Sequence, residues 1–157
     1  DGWMLNGLVT LQSGAPFSAI GNATRNAFFA QVARVRMDMA PGRTVESAIR
    51  EGRVQDRLEQ YFDVTAFADS LDRWGNSARN LLRGPAQRQF DFSIVKSIPV
   101  MERVQSEFRW ELFNAFNQAT FANPASTFAA NGPGTAGRIT STIGGPRTMQ
   151  AAFRVRF

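Results

Sequence analysis

Polar and apolar residues alternate with a period of two in four stretches of this chain, the spacing that sends successive side chains to opposite faces of a strand. In residues 3–13, Trp3, Leu5, Gly7, Val9 and Leu11 share one face; Asn6, Thr10 and Gln12 lie on the other, with Met4 and Leu8 among them. In 88–98, Phe90, Phe92, Ile94 and Ile98 share a face with Lys96, opposite Asp91, Ser93, Val95 and Ser97. In 104–117, Val104, Ser106, Phe108, Trp110, Leu112, Asn114 and Phe116 oppose Gln105, Glu107, Arg109 and Glu111, a face that turns apolar at Phe113 and Ala115. In 147–157, Met149, Ala151, Phe153, Val155 and Phe157 alternate with Thr148, Gln150, Ala152, Arg154 and Arg156.

The connections are unequal. Pro99-Val100-Met101-Glu102-Arg103 predicts a tight turn. The stretches 14–87 and 118–146 are long, and Gly132-Pro133-Gly134 and Gly144-Gly145-Pro146 break the second. A structureless loop of such length is out of place in a compact soluble domain. Val45, Ile49, Val54, Leu58 and Tyr61 recur near helical spacing behind a candidate N-cap, Thr44, which predicts a helix over 45–61 interrupted at Gly52. Residues 62–67 read as extended, 76–85 as an ordered loop and 138–143 as a short strand.

Such alternation suits a soluble sheet over a core, or a membrane barrel with lipid on one face and a wet lumen on the other. Three features favour the barrel. Glu107, Arg109 and Glu111 follow one another on one face, as do Arg154 and Arg156, which predicts a hydrated wall with cross-strand ion pairs. One very short connection stands between two very long ones, the rhythm of periplasmic turns and external loops. The strands are long enough to cross a bilayer obliquely. The expected fold is therefore all-β: an antiparallel transmembrane β-barrel segment with strands at about 3–13, 88–98, 104–117 and 147–157, and external loops at about 14–87 and 118–146, one with a short helix. Lumen-facing candidates are Asp91, Gln105, Glu107, Arg109, Glu111, Arg154 and Arg156; lipid-facing candidates are Phe90, Phe92, Phe108, Trp110, Leu112, Phe153 and Val155. Lys96, on the apolar face, is tolerable if it snorkels to headgroups from beside the Pro99 turn. A soluble or surface-exposed all-β binding or adhesion module is the alternative.

Composition removes other classes. With no Cys and no His, disulfide frameworks, Cys/His zinc sites, thiol nucleophiles and His-dependent catalysis are excluded. We expect no enzyme, metal or cofactor. Glu107 and Glu111 are explained by spacing along one strand rather than as a catalytic carboxylate pair, and Asp63, Asp69 and Asp72 match no calcium loop. The net charge of +5 comes from scattered arginines and Lys96 rather than a clustered stripe, so no nucleic-acid partner is expected. Trp74, in the first long loop, is a candidate for solute contact. Asp1-Gly2-Trp3 reads as the interior of a longer chain.

Three strings carry a family resemblance. They are Gly75-Asn76-Ser77-Ala78-Arg79-Asn80-Leu81-Leu82-Arg83-Gly84-Pro85 with Phe90-Asp91-Phe92-Ser93, then Arg109-Trp110-Glu111-Leu112-Phe113-Asn114-Ala115-Phe116-Asn117, then Pro146-Arg147-Thr148-Met149-Gln150 leading to Phe153-Arg154-Val155-Arg156-Phe157. Together they resemble the C-terminal end of Oar-like TonB-dependent receptors, which carry a carboxypeptidase-regulatory-like domain near their N-terminus. The resemblance implies the bacterial outer membrane and about the last four strands of a 22-stranded barrel. It further implies a plug domain in the same full-length chain and energised solute uptake through the TonB system, reached by upstream parts. The partners it implies are outer-membrane lipid and the barrel-assembly machinery, which would read Phe153, Val155 and the terminal Phe157.

Overall fold

The computed structural model of the chain describes residues 2–21, 35–130 and 132–157. Its elements run β1 (Trp3–Gln12), β2 (Pro16–Phe17), β3 (Ile20–Gly21), β4 (Val35–Arg36), β5 (Asp38–Met39), α1 (Val45–Ala48), β6 (Phe67–Ala68), β7 (Leu82–Arg83), β8 (Gln87–Met101), β9 (Val104–Phe113) and β10 (Thr148–Arg156). Two units emerge, one of residues 1–13, 86–120 and 142–157, the other of residues 14–85 and 121–141.

The first unit is an antiparallel sheet in the order β1-β8-β9-β10, built from the four alternating stretches. Its boundaries differ from the sequence expectation in two places. β8 does not stop at 98 but runs on to Met101, carrying Pro99 inside it, and the reversal is confined to Glu102 and Arg103. A register irregularity between Pro99 and Met101 absorbs the proline, which lacks the N–H that a regular ladder needs. β9 ends at Phe113 rather than 117, because Asn114 and Asn117 both take a left-handed φ of 51°. Asparagine is among the few non-glycine residues that adopt this conformation readily. By the register, Gln12 pairs with Gln87 and Phe113 with Thr148, so both long connections leave the sheet at one end. Trp3, the Glu102-Arg103 turn and Arg156 lie towards the other.

The second unit is made from what reads in sequence as two external loops; residues 22–34 of the first lie outside the described residues. Three two-stranded ladders, β2-β7, β3-β4 and β5-β6, tie it together. The expected helix 45–61 shrinks to α1, and a separate 3-10 turn covers Val54–Arg57. Thr44 does cap α1, its hydroxyl accepting from the Ser47 N–H at 3.4 Å. The helix stops because the next groups bond across the unit. The Ala48 carbonyl accepts from the Asp63 N–H at 2.9 Å, and Ile49 forms an antiparallel bridge with Phe62. Residues 62–67 are likewise not simply extended: a 3-10 turn at Val64–Ala66 is capped by Asp63, which accepts from the Thr65 N–H. The expected strand 138–143 forms no regular ladder: the Ile139 N–H bonds to the Leu58 carbonyl at 2.8 Å, while on either side of Thr142 the Ser141 carbonyl accepts from the Ala122 N–H at 3.0 Å and the Ile143 N–H donates to Thr120 at 2.7 Å.

Phe62, 1% exposed, is the centre of this unit's core. Its ring lies 5.7 Å from Phe17, 5.8 Å from Phe67 and 6.4 Å from Phe128, separations typical of favourable aromatic pairs. Phe128 comes from the second connection, so the two long loops share one core. Gly75 is required for backbone approach, because a Cβ there would stand 1.9 Å from the Arg36 carbonyl oxygen. Beside it, Asp38 accepts from the Asn76 N–H at 2.7 Å and from Arg73 at 2.9 Å, and Asn76 accepts in turn from the Met39 N–H at 2.7 Å. The string that reads as an ordered loop is thus a brace holding β5.

Candidate functional site

The register sorts every side chain of the sheet onto one of two faces. On the first, Leu5, Ile94, Trp110 and Ala151 form one cross-strand row; Gly7, Phe92, Leu112 and Met149 form the next, with Val9 and Phe90 paired beyond it. Towards the turn follow Trp3, Lys96, Phe108 and Phe153, then Ile98, Ser106 and Val155. All seven residues expected on the apolar face therefore share it. This face is open: Phe108 is 46%, Trp110 39% and Phe153 69% exposed. Phe116, just beyond β9, packs edge-on against Phe90 at 5.1 Å and Phe92 at 6.1 Å.

Two cations interrupt the apolar face. Arg88 stands opposite Leu11 at the end from which the long connections leave. Lys96 lies three residues deeper than a turn beginning at Pro99 would put it. Its ammonium sits 4.8 Å above the Trp3 ring, where the negative face of the indole attracts a cation.

The opposite face carries Asp91, Gln105, Glu107, Arg109, Glu111, Arg154 and Arg156, again as one set. The ionic ladder runs along β9 and not across strands. Arg109 reaches Glu107 at 3.3 Å and Glu111 at 3.8 Å. Its cross-strand neighbours are Val95 and Ala152, which offer no charge, so the guanidinium turns to the carboxylates two residues before and after it. Arg154 stands opposite Glu107 and Arg156 opposite Gln105, but among the described residues neither pairs with a carboxylate. Val95, on this polar face, is only 6% exposed, covered where the sequence pattern makes it an exception.

Asp91 terminates a strand. It accepts from the Asn114 N–H at 2.9 Å and from the Gln89 amide at 3.0 Å. The Asn114 side chain then donates to the carbonyls of Gln118 and Gly145 and accepts from the Gln118 N–H at 2.9 Å, while Asn117 accepts from the Arg147 N–H at 3.0 Å. Asn114 and Asn117 form a clamp between the end of β9 and the start of β10. Reading 104–117 as one strand misses it; the signal available was a pair of asparagines three residues apart after an alternating run.

The remaining candidates are dispersed. Trp74 is exposed. Asp63 pairs with Arg43 at 3.7 Å and Asp72 with Arg73 at 3.3 Å, each in its own local contact. Among the described residues no helix is long and apolar enough to cross a membrane, a statement that leaves strands aside.

Comparison with known families adds one match: a family model described as an outer membrane beta barrel domain covers residues 1–150. No curated protein and no solved structure matches the chain.

Proposed function

We propose a function from one premise: the chain belongs to the outer membrane beta barrel domain family and is a segment of a bacterial outer-membrane barrel. Our reading is that it forms the C-terminal barrel portion of an Oar-like TonB-dependent receptor, a non-enzymatic protein for energised uptake of a solute. Within that reading the apolar face meets lipid and the face with Asp91, Gln105, Glu107, Arg109, Glu111, Arg154 and Arg156 meets the wet lumen and the plug domain. The barrel-assembly machinery reads Phe153 and Val155 on the closing strand and Phe157 just beyond it.

The observation that carries the reading from barrel to receptor is the second unit. Its two connections fold around a core of their own, far more structure than strand reversal needs, and the receptor-like string from Gly75 to Pro85 braces it. External loops of that kind suit recognition of a solute better than an open pore, since a rigid scaffold presenting ordered loops is the usual arrangement for binding.

Lys96 and Arg88 then mark the edges of the lipid-facing band. They are eight residues apart on β8, about 26 Å along a strand at ~3.3 Å per residue. With a tilt of about 40° this spans roughly 20 Å of height, and snorkelling side chains extend it towards the ~25 Å apolar band of outer-membrane barrels. The hairpin end beyond Lys96 projects past the band, and Trp3 belongs to the interfacial aromatic belt.

Two experiments test separate parts. Single cysteines at Arg109, Trp110, Glu111 and Leu112 in the full-length protein, in membranes, should react with a water-soluble maleimide at 109 and 111 and resist it at 110 and 112; uniform labelling overturns the assignment of faces. A purified periplasmic domain of TonB should be retained by the immobilised full-length protein. Failure of that retention, with alternating labelling intact, rejects the receptor and leaves the barrel.

A further inference from the structure

A cavity of about 420 Å³ lies wholly within the second unit, inside the size range of small-molecule sites. Phe17 and Phe62 line its apolar part, and Arg50, Arg57, Arg83 and Tyr61 its polar part. No carboxylate is among its lining residues. Three arginines thus line one small cavity with no lining carboxylate to balance their charge.

Their hydrogen bonding is largely unspent. Arg57 donates through Nη1 to the Arg50 carbonyl and lies 4.7 Å over the Tyr61 ring, yet its Nε is buried with no acceptor. Arg83 makes one long contact, 3.4 Å, to the Gly14 carbonyl. Arg50 makes no ion pair among the described residues, although its charge helps keep Asp63 ionised. Each guanidinium has five N–H donors, and the exposed Arg50 and Arg83 keep most of theirs for a ligand in place of water. Burial raises the Tyr61 hydroxyl above its ordinary value, against the opposing pull of Arg57, which keeps the phenol protonated as a further donor.

We propose that this cavity binds a small amphipathic organic anion, a carboxylate or phosphate on an aromatic or short aliphatic body. The oxyanion is forked by Arg50, Arg57 and Arg83, and the apolar body lies against Phe17 and Phe62. The site stands on the cavity alone and does not require that the barrel transport what it binds, so it can fail or hold independently of the receptor reading.

The test is calorimetric titration of the full-length protein in lipid nanodiscs with four probes: naphthalene-2-carboxylate, 2-naphthyl phosphate, 2-naphthalenemethanol and inorganic phosphate. One or both naphthyl anions should bind at least tenfold more tightly than the alcohol and than inorganic phosphate. Arg50→Gln and Arg83→Gln should each weaken the anions about tenfold, the scale of one lost charge-assisted hydrogen bond, and leave the alcohol unchanged. Arg57→Gln should weaken them more; protease resistance of the loops checks that this variant folds, and the other two carry the test if it does not. Equal binding of anion and alcohol, equal binding of inorganic phosphate, no binding of either naphthyl anion, or unchanged anion affinity in both Arg50→Gln and Arg83→Gln each overturns the proposal.

Discussion

An arginine in place of Met149 asks what the open apolar face is open to. Met149 is 57% exposed, so little protein packing is lost when it changes. By register it pairs with Leu112, in the row with Gly7 and Phe92, midway between the rows of Lys96 and Arg88. Each cation is four residues away on β8, about 13 Å along the strand and roughly 10 Å in height at barrel tilt. That puts Met149 near the midplane of the apolar band, where a lipid-facing arginine costs about 2–4 kcal/mol, a factor of ~30 to ~1,000 in the folded-to-unfolded ratio. On a face bathed by water the same change costs about 0.5 kcal/mol or less. The neighbouring control, Gln150→Arg, points to the opposite face and should stay within about 0.5 kcal/mol of the parent. Phe153→Arg, in the Lys96 row, should carry an intermediate charge cost of about 0–1 kcal/mol beyond its lost apolar contact. The assay is reversible denaturant unfolding of the full-length protein from lipid vesicles, followed by tryptophan emission. Equal costs for Met149→Arg and Gln150→Arg, or no cost for the first, refute the lipid-facing assignment.

Other consequences follow from single contacts. Phe62→Ala should remove about 3–5 kcal/mol from the loop core, seen as protease cleavage within residues 35–85 under conditions where the parent resists; unchanged resistance would show that the aromatic cluster is not what holds the unit. Burial pushes the Asp63 carboxyl up, but the Thr65 hydroxyl and N–H, with Arg43 and Arg50, outweigh it and hold the group below its ordinary value of 3.8. A lowered folded-state pKa means the unfolded chain binds more protons, so the contribution is complete above 3.8 and fades as pH falls through the folded value. Amide exchange of the second unit should accelerate over that acid range in the parent and less so in Asp63→Asn. Asn114→Ala keeps the left-handed φ but loses three side-chain hydrogen bonds, and should cost about 1–3 kcal/mol, read as faster exchange of the Gln118 amide.

Strand positions were legible because period-two patterning over ten residues is a signal that local chemistry rarely counterfeits. The faces followed from the same pattern, and the register groups the residues of each set together. The ion pairs did not follow, because the partners across from Arg109 depend on register, and register depends on the length of the turn. Taking Pro99 as the start of the reversal shortened β8 and made Lys96 look shallow. The loop region was harder for a different reason. Val45, Ile49 and Val54 have helical spacing, yet the Ala48–Asp63 hydrogen bond and the Ile49–Phe62 bridge decide the outcome, and contacts between residues over ten positions apart leave no local periodicity. The arginine-lined cavity was illegible too, since Arg50, Arg57 and Arg83 converge only once Phe62 has gathered its neighbours.

The two units draw their stability from different sources. The buried hydrophobic cluster lies entirely in the second unit, with Phe17, Phe62, Phe67 and Phe128 among its members, so that unit gains from removing its own side chains from water. The sheet has no such cluster among its described residues; Met4, Leu8 and Phe113 aside, its large exposed apolar groups lie mainly on the face that carries Trp110 and Phe153. It therefore gains only when a non-aqueous phase covers that face. In such a phase the unpaired N–H and C=O groups along the outer edges of β1 and β10 become a cost of several kcal/mol each. Four strands are half of the eight in the smallest outer-membrane barrels, so the sheet cannot cancel that cost by closing on itself. Membership of the barrel family thus requires partner strands for β1 and β10 beyond the four described. On the barrel reading, that added pairing and a lipid cover stabilise the open sheet as a wall, whereas the core of the loop unit is built from its own side chains.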